Sequence, residues 1–342
     1  MLSTDWAAHV APPHALARVV AQDRGSYLIA SPAGELRAQL DGKSLRRVEA
    51  DPSALPVVGD YVAVDARPAE GTATIRALLP RRNLFARRAA GAGGTLQGIA
   101  ANVDTLFVAV ATGGDFNLRR VERYLVAAAA FGVPVALALT KTDLVDDATG
   151  YVVAAESVAG TAPVVALAAL APGGLAALAA YRGAGKTIAF VGSSGVGKST
   201  IVNALCGERR FDTGAVRDGD ERGRHTTTRR ELIVLADGTA VVDTPGMREF
   251  ALADAEGGVD NAFADVAAAA QGCRFGDCRH ESEPGCAVRA ALDPERLASW
   301  QKLRREAAFE ARKSDPDLAR ADQAKWKAIQ RANRARYRER GR

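Results

Sequence analysis

Five short, largely apolar runs lie between residues 15 and 90. They read ALARVVAQ, SYLIAS, ELRAQL, YVAVDA and TATIRALL. The turn-forming segments between them are Asp23-Arg24-Gly25, Pro32-Ala33-Gly34, Asp41-Gly42-Lys43 and Gly59-Asp60. Each run has the length of a β-strand, and turn formers bound it. The pattern predicts a small barrel of the OB type, with any other five-stranded sheet as the alternative.

Apolar runs and helix-like stretches alternate between residues 103 and 250. The first part of this region reads VDTLFVAVAT, RRVERYLVAAAAFG, VPVALALT, APVVALAAL, GLAALAAYRG and KTIAFVG. A predicted helix from Lys198 to Cys206 follows, and then the predicted strands ELIVLA and TAVVDTPG. This alternation predicts a mainly parallel α/β sheet that is covered on both faces. The stretch before it is interpreted as a linker and contains Arg81, Arg82, Arg87, Arg88 and the segment from Gly91 to Gly94.

Positive charge is concentrated at the C-terminal end. Residues 301–342 carry fourteen Lys and Arg against six Asp and Glu, in a helix-forming sequence with one break at Ser314-Asp315-Pro316. Residues 261–300 hold three of the four cysteines. We therefore predict a multidomain protein with an OB-like barrel (1–92), a central α/β domain (93–258) and a helical module with a basic tail (259–342).

Composition limits the class of protein. The 342 residues are 48% apolar, with a net charge of +5 and a pI near 9.1, which allows sizeable cores and favours an anionic partner. The first residues lack the regions of a signal peptide. The longest apolar run, near Val126 to Thr140, is shorter than the roughly 20 residues that span a bilayer. We expect a cytoplasmic monomer that does not enter a membrane.

A glycine-rich segment after the apolar run Ile188 to Val191 fits the pattern G-x-x-x-x-G-K-[ST]. Its glycines let backbone N–H groups turn toward phosphate oxygens. Lys198 would reach the β- and γ-phosphates of a nucleotide, and Ser199 would ligate Mg²⁺. A chance turn is the alternative, which the flanking strand and helix disfavour. The predicted GTP-binding residues of this loop are Gly192, Ser193, Ser194, Gly195, Val196, Gly197, Lys198, Ser199 and Thr200.

Two later segments have the features of magnesium and γ-phosphate loops. Asp243 ends a strand and opens the sequence Asp-Thr-Pro-Gly, so it is placed to hold Mg²⁺, and the N–H of Gly246 to contact the γ-phosphate. The polar segment 217–230 contains three threonines, 226–228, one of which would close over Mg²⁺. We take Thr227 as the candidate, although the sequence does not exclude Thr226 or Thr228, and a solvated loop is the alternative.

The residue that orients the attacking water is not evident. Met247 follows Gly246, where Ras-like enzymes place a glutamine for this purpose. We therefore expect slow intrinsic hydrolysis that a partner accelerates. His225 is a candidate to position the water, with a solvated loop histidine as the alternative. The predicted catalytic set is His225, Thr227 and Gly246.

The segment 140–143, Thr-Lys-Thr-Asp, resembles the N-K-x-D guanine-recognition motif. Asp143 would accept two hydrogen bonds that guanine supplies and adenine does not, and the stem of Lys141 would cover the base. Thr140 replaces the usual asparagine, which threatens the contacts that the amide makes. A second guanine loop is interpreted as the degraded segment Ala168-Ala169-Leu170. Both precede the phosphate loop, whereas in ordinary GTPases they follow it, so the motif order is circularly permuted.

Three cysteines and a histidine lie within fourteen residues, at Cys273, Cys278, His280 and Cys286. Without an export signal, this density indicates metal binding rather than disulfides. Three thiolates and one imidazole are typical of a closed structural Zn²⁺ site. Reduced core cysteines are the alternative, which the polar residues between them disfavour.

The basic tail suits RNA. Trp300, Trp326 and Tyr337 interleave with its basic residues, so phosphate contact and base stacking are both available. We favour a disordered tail that orders on RNA, with a solvated helix face as the alternative.

Taken together, the motifs GSSGVGKST, GRHTTT, DTPG and CRFGDCRHESEPGCAV resemble those of the bacterial ribosome small-subunit-dependent GTPase A family. The resemblance covers nearly the whole chain. It implies a GTPase that the small ribosomal subunit stimulates, acting late in maturation of that subunit and its rRNA. It also implies GTP and GDP as ligands, Mg²⁺ beside the nucleotide and Zn²⁺ at the Cys/His cluster. An RNA-binding P-loop ATPase and a non-hydrolysing RNA scaffold are the alternatives.

Overall fold

The strand-forming runs near the N-terminus close into a barrel. The computed structural model of the chain describes residues 4–23, 25–88, 96–208, 230–243, 256–314 and 320. Apolar side chains of the first strands, among them Val19, Ile29 and Val64, are fully buried inside the barrel. The strands are β1 (Ala15–Asp23), β2 (Ser26–Ser31), β3 (Gly34–Leu40), β4 (Tyr61–Arg67) and β5 (Thr72–Leu78). A short helix, α1 (Thr4–Ala7), precedes β1, and α2 (Gly42–Ala50) lies between β3 and β4.

The barrel has the strand order of an OB fold. β1 pairs with β2 and β2 with β3, both antiparallel, and β3 lies parallel to β5. β5 pairs with β4, which returns to β1 and closes the sheet. Closure removes the exposed edges that an open sheet would leave. The predicted OB-like barrel is confirmed.

The arginine-rich segment after the barrel is not a linker throughout. β6 (Leu84–Arg88) and β7 (Leu96–Ala101) form an antiparallel hairpin. Arg81 is held by the fully buried carboxylate of Asp60, which it contacts through Nε at 2.8 Å and through Nη2 at 2.6 Å. Arg82 lies over the Trp6 ring, 4.4 Å from its centroid. The linker interpretation is therefore wrong for residues 81–88, because Arg81 and Arg82 have fixed partners distant in sequence and residues 84–88 pair as a strand.

The central domain is a mainly parallel sheet of six strands. They are β8 (Thr105–Ala111), β9 (Val135–Thr140), β10 (Val164–Ala166), β11 (Thr187–Val191), β12 (Arg230–Val234) and β13 (Ala240–Asp243), with helices α3 (Leu118–Ala130), α4 (Thr149–Ala159) and α5 (Lys198–Cys206). The order across the sheet is β10-β9-β8-β11-β13-β12, and β12 is antiparallel to β13. Alternate residues of β8 enter two different apolar cores, one on each face. The predicted doubly covered sheet is confirmed.

The barrel and the central sheet are joined. β12 pairs with β1, so eleven strands share one hydrogen-bonded sheet. Buried Arg18 on β1 donates from Nη2 to the hydroxyl of Thr187 at 2.7 Å and from Nε to the carbonyl of Gly59 at 3.2 Å. Burial lowers the pKa of Arg18, although nearby acidic groups, among them Asp104, oppose the shift. The junction between the barrel and the central sheet thus contains a buried arginine that hydrogen bonds hold in place.

The C-terminal module packs on α3 of the central domain. Its helices are α6 (Glu256–Ala262), α7 (Ala264–Ala270), α8 (Ala287–Ala291) and α9 (Pro294–Ser314). The backbones of α6 and α3 touch, because a Cβ placed on Gly258 would lie 2.3 Å from the carbonyl oxygen of Val126. α9 is described as far as Ser314, and the remainder of the predicted break, Asp315-Pro316, lies outside the described residues.

Part of the predicted organisation lies outside the described residues. This holds for the basic tail beyond 320 and for the proposed boundary at 92/93, so the three-domain division stays a prediction. Among the helices that the structure describes, none combines the length and the apolar character needed to cross a bilayer.

Candidate nucleotide site and metal centre

The phosphate loop, residues 192–200, connects β11 to α5. Gly192, Gly195 and Gly197 have φ angles of 144°, 78° and 95°, which side chains larger than hydrogen rarely adopt. A Cβ on Gly192 would lie 2.4 Å from the carbonyl oxygen of Ala109, so this position also lacks room for a side chain. The glycines therefore fix a loop that turns at the N-terminus of α5, the end of a helix that favours a bound anion.

The lysine of this loop is folded back over it. Lys198 donates from Nζ to the carbonyl oxygen of Gly192 at 2.8 Å and to that of Ser193 at 2.6 Å. The ammonium group is thereby held above the turn, where phosphate would lie. Ser199 is exposed at the start of α5. β13 runs parallel to β11 and ends at Asp243, so the backbone of Asp243 lies at the same edge of the sheet as the loop.

Thr140 joins the base loop to the phosphate loop. It is buried at the end of β9 and donates from Oγ1 to the carbonyl oxygen of Val196 at 2.6 Å. β9 and β11 lie on either side of β8, so both loops leave the same carboxyl edge of the sheet. The hydroxyl thus makes a contact between the two halves of the site in the absence of the asparagine amide.

The residues after Thr140 form a fixed turn. Lys141 has a φ of 59°, and its carbonyl oxygen accepts a hydrogen bond from the hydroxyl of Thr112 at 2.8 Å. Asp143 follows in a 3₁₀ helix, Thr142–Leu144, and is exposed. Thr112 is missed by sequence reasoning because it acts from the end of β8, 29 residues earlier.

The second base loop follows β10. The N–H of Ala168 donates to the carbonyl oxygen of Gly174 at 2.9 Å, and the N–H of Thr142 donates to that of Leu167 at 3.3 Å. A Cβ on Gly174 would lie 1.9 Å from the carbonyl oxygen of Ala168, so only glycine fits there. The loop is therefore closed on itself and tied to the loop that carries Asp143.

The predicted catalytic residues His225, Thr227 and Gly246 lie outside the described residues. Among those that are described, sequence reasoning also missed Arg120, which donates from Nη1 to the hydroxyl of Ser193 in the phosphate loop at 2.8 Å. Asn117 caps the same helix, α3, by accepting a hydrogen bond from the N–H of Arg120 at 3.1 Å. The asparagine cap after β8 marks the start of α3 in the sequence but does not reveal the contact of Arg120 with Ser193.

The four predicted metal ligands come together in the C-terminal module. Their ligand atoms, on Cys273, Cys278, His280 and Cys286, all lie within 4.8 Å of one another. The Nδ1 atom of His280 is 3.6 Å from the Sγ of Cys273 and 3.5 Å from that of Cys286, and these two sulfurs are 4.0 Å apart. A tetrahedral zinc ion with ordinary bond lengths separates its ligands by about 3.5–3.8 Å. The set fits such an ion.

The chain around the cluster is arranged to hold it. The backbone N–H groups of Val288 and Ala287 lower the pKa of the Cys273 thiol. His280 has a φ of 61°, and its carbonyl oxygen accepts a hydrogen bond from Gln301 on α9 at 3.1 Å. All four cysteines of the chain are free of disulfides. Burial raises the pKa of the Cys278 thiol to about 11. The three thiols of the cluster are therefore available as metal ligands, and a bound cation would favour their deprotonation.

The module is fixed to α3 by a buried ionic network. Glu122 on α3 accepts a hydrogen bond from Nη1 of Arg296 at 2.7 Å and another from Ser299. Arg296 also contacts Asp265, through Nε at 2.5 Å and through Nη2 at 2.9 Å. Burial raises the pKa of Glu122, and the hydrogen bonds from Ser299 and Arg296 oppose the shift. The network requires all partners, because a lone charge left there would be costly.

The parallel sheet, its glycine-rich phosphate loop and a base loop that comes earlier in the chain define a circularly permuted P-loop GTPase, an enzyme that hydrolyses GTP. The family model described as RsgA GTPase matches residues 78–253. The chain belongs to this family.

Relatives and solved structures agree with that assignment. A protein of Opitutus terrae named small ribosomal subunit biogenesis GTPase RsgA is 47% identical, over 95% of this chain and 92% of its own. A protein of the same name from Methanosarcina acetivorans is 43% identical, over 80% and 76%. The crystal structure of YjeQ from Thermotoga maritima has a TM-score of 0.64 at 24% identity, covering 86% of this chain and 98% of that one. YloQ, described as a circularly permuted GTPase, has a TM-score of 0.59 at 21% identity, covering 86% and 96%. These two structures share the fold.

Proposed function

We propose that the chain binds GTP between residues 192–200 and Asp143, hydrolyses it to GDP and phosphate, and acts in biogenesis of the small ribosomal subunit. The observation that carries the nucleotide site is the hydrogen bond from Thr140 to Val196, since it fixes the base loop against the phosphate loop. The relatives named small ribosomal subunit biogenesis GTPase support the biological role.

The roles of single residues follow from their chemistry. Lys198 would neutralise the β- and γ-phosphates, and the amides of residues 193–198 would bind their oxygens. Asp143 would select guanine, because guanine supplies two donors to its carboxylate, whereas adenine would cover the carboxylate and leave it unpaired. Ser199 and Asp243 offer the oxygen ligands that Mg²⁺ prefers. Mg²⁺ would offset the charge that develops on the phosphates, and His225, Thr227 and Gly246 remain our candidates for catalysis.

We further propose one structural Zn²⁺ ion at Cys273, Cys278, His280 and Cys286. Support comes from the close approach of the four ligand atoms, all within 4.8 Å of one another, and from the full set of four protein ligands, which leaves no position for a substrate. Such an ion would fix the loops between α7 and α8, which carry few apolar residues of their own.

The proposed macromolecular partner is the small subunit through its rRNA. Support comes from the OB-type barrel, whose strands β2 and β3 form the face that binds nucleic acid in many such folds, and from the net charge of +5. We keep the expectation of a cytoplasmic monomer that works without a membrane, and the division into residues 1–92, 93–258 and 259–342.

Selectivity for guanine is tested by measuring the binding of GTP and ATP to the full chain and to two variants. D143N is expected to bind GTP at least about tenfold more weakly than the wild type. D146N, an exposed acid three residues away, is the matched control and is expected to bind normally. Equal retention of ATP and GTP by the wild type would support the ATPase alternative and reject our proposal.

Association with the subunit is tested by sedimentation of the chain with purified ribosomal subunits. We expect it to pellet with small subunits when a non-hydrolysable GTP analogue is bound, and not with large subunits. If the chain binds GTP but pellets with neither the small nor the large subunit, the proposed partner is wrong and the GTPase acts with another one.

A further inference from the structure

One arginine of α3 faces the phosphate loop, whereas the other charged residues of its first two turns face the C-terminal module. Arg119 pairs with Glu295 at 3.2 Å, Arg123 with Glu306 at 2.7 Å, and Glu122 with Arg296 at 2.7 Å. Arg120 alone in this group makes no ion pair with any residue that the structure describes.

Within the part of the chain that the structure describes, the Arg120 side chain makes its hydrogen bond with the phosphate loop. Its Nη1 donates to the hydroxyl of Ser193 at 2.8 Å, and Tyr124, one helical turn later, also hydrogen-bonds Ser193. Arg120 is exposed. A guanidinium has five N–H donors, so most of them stay available to a second acceptor. An arginine held by a neutral hydroxyl beside an anion-binding loop lacks the counter-charge that its neighbours have.

The position of Ser193 indicates which phosphate lies nearby. Lys198 donates to the carbonyl oxygen of Ser193 at 2.6 Å, so two cationic side chains converge on this one residue. In P-loop proteins the lysine lies on the β- and γ-phosphates. Two like charges at close range repel unless an anion lies between them. The missing counter-charge is therefore expected at the γ-phosphate end of the nucleotide.

We infer that Arg120 is a phosphate-binding residue that turns from the Ser193 hydroxyl to the γ-phosphate when GTP binds. It supplies, within the same chain, the positive charge that some GTPases receive from a partner. The contact is absent in the GDP complex, because GDP lacks that phosphate. Arg120 thus makes the site prefer GTP over GDP. The inference rests on the proposed nucleotide site and adds a determinant of its specificity.

The test measures dissociation constants of the full chain for a β,γ-imido GTP analogue and for GDP, both with Mg²⁺. R120Q is expected to weaken binding of the analogue about tenfold or more and to change GDP binding by no more than about twofold. R120K is expected to regain part of the lost affinity, since it keeps the charge but not the planar fork. The exposed side chain makes no core contact, so the thermal unfolding midpoint of R120Q should equal that of the wild type.

R119Q is the matched control. It removes a charge one residue earlier on the same helix, from the exposed pair with Glu295, and should leave both affinities within about twofold. Equal effects of R120Q on the analogue and on GDP, no effect on either, or the same loss in R119Q would overturn the inference. A wild-type chain that binds neither nucleotide would instead overturn the proposed nucleotide site.

Discussion

At the scale of single residues, the nucleotide site depends on a hydroxyl where related motifs place an amide. Thr140 is buried, and its Oγ1 reaches the carbonyl oxygen of Val196 at 2.6 Å. The carbonyl oxygen of Thr140 accepts the N–H of Thr112 at 3.0 Å, which ties the same residue to β8. The base loop therefore cannot shift relative to the phosphate loop without breaking buried hydrogen bonds, each of which is costly to leave unmade.

Replacing Thr140 tests this connection. T140V keeps the shape of the side chain and removes its donor, which leaves the Val196 carbonyl oxygen unpaired at a cost of about 1–3 kcal/mol. We expect GTP affinity to fall about tenfold in equilibrium binding. T140S retains the hydroxyl and should bind within about threefold of the wild type. GTP binding by T140V at wild-type strength would show that the contact does not support the site.

The buried carboxylate of Asp60 fixes the segment that follows the barrel. It accepts hydrogen bonds from Arg81 and from the N–H of Val57 at 2.7 Å. Burial raises the pKa of Asp60, and the contacts with Arg81 oppose the shift. D60N leaves Arg81 without its counter-charge, so we expect a loss of about 3–5 kcal/mol in the free energy of unfolding.

The comparison for D60N is D65N, in the more exposed pair with Arg76, which should lower the free energy of unfolding much less than D60N does. Both are measured by denaturant unfolding. Equal losses in the two variants would contradict the assignment of the buried pair as the stronger anchor.

At the scale of secondary-structure elements, α3 connects the nucleotide site to the C-terminal module. Its first turn contacts the phosphate loop through Arg120, and Glu122 on its other face holds Arg296. Further along, α6 lies directly on its backbone at Gly258. The packing depends on glycine, because any side chain at that position would meet the carbonyl oxygen of Val126.

Replacing glycine by alanine is expected to change the free energy of unfolding in opposite directions at Gly258 and at Gly150. G258A places a methyl group 2.3 Å from backbone oxygen, so α6 must move away, at an expected cost of about 1–3 kcal/mol. Gly150 lies within α4 and has open space around it, so G150A should stabilise by about 0.5–1 kcal/mol. Chemical unfolding of both variants is the measurement. Equal stability of G258A and the wild type would contradict the close packing.

The sequence predicts an element well when the contacts that form it join residues close together along the chain. The barrel strands, the helix Lys198–Cys206 and the cluster of ligands at 273–286 follow from local pattern and spacing, and the structure has them. The hairpin of β6 and β7 was missed, and Arg81 and Arg82 just before it look solvated in the sequence until Asp60 and Trp6 come near. The roles of Thr112 and Arg120 depend on neighbours 29 and 73 residues away, which no local pattern reveals.

At the scale of the whole molecule, the three parts form one connected body. β12 lies between β13 of the central sheet and β1 of the barrel and pairs with both, so the sheet continues into the barrel. The Cys/His module rests on α3 through the ionic network around Glu122. A partner that binds the barrel or the module is therefore mechanically connected to the nucleotide site through hydrogen-bonded strands and a packed helix.

Metal content tests the C-terminal module. The wild type is expected to release one zinc ion per chain on treatment with a thiol-modifying reagent, and C278S should release little, because three ligands hold zinc more weakly than four. Cys206 lies outside the cluster, on α5, so C206S is expected to keep the ion. A wild-type chain that contains no zinc, or an equal loss in C206S, would contradict the proposed site.

The most direct test of the account is the rate of phosphate release from GTP with and without purified small ribosomal subunits. We expect slow release by the chain alone, since Met247 replaces the water-orienting glutamine, and at least about tenfold faster release with small subunits. Large subunits and ATP should give no such increase. Equal rates with and without small subunits, or equal turnover of ATP, would contradict it.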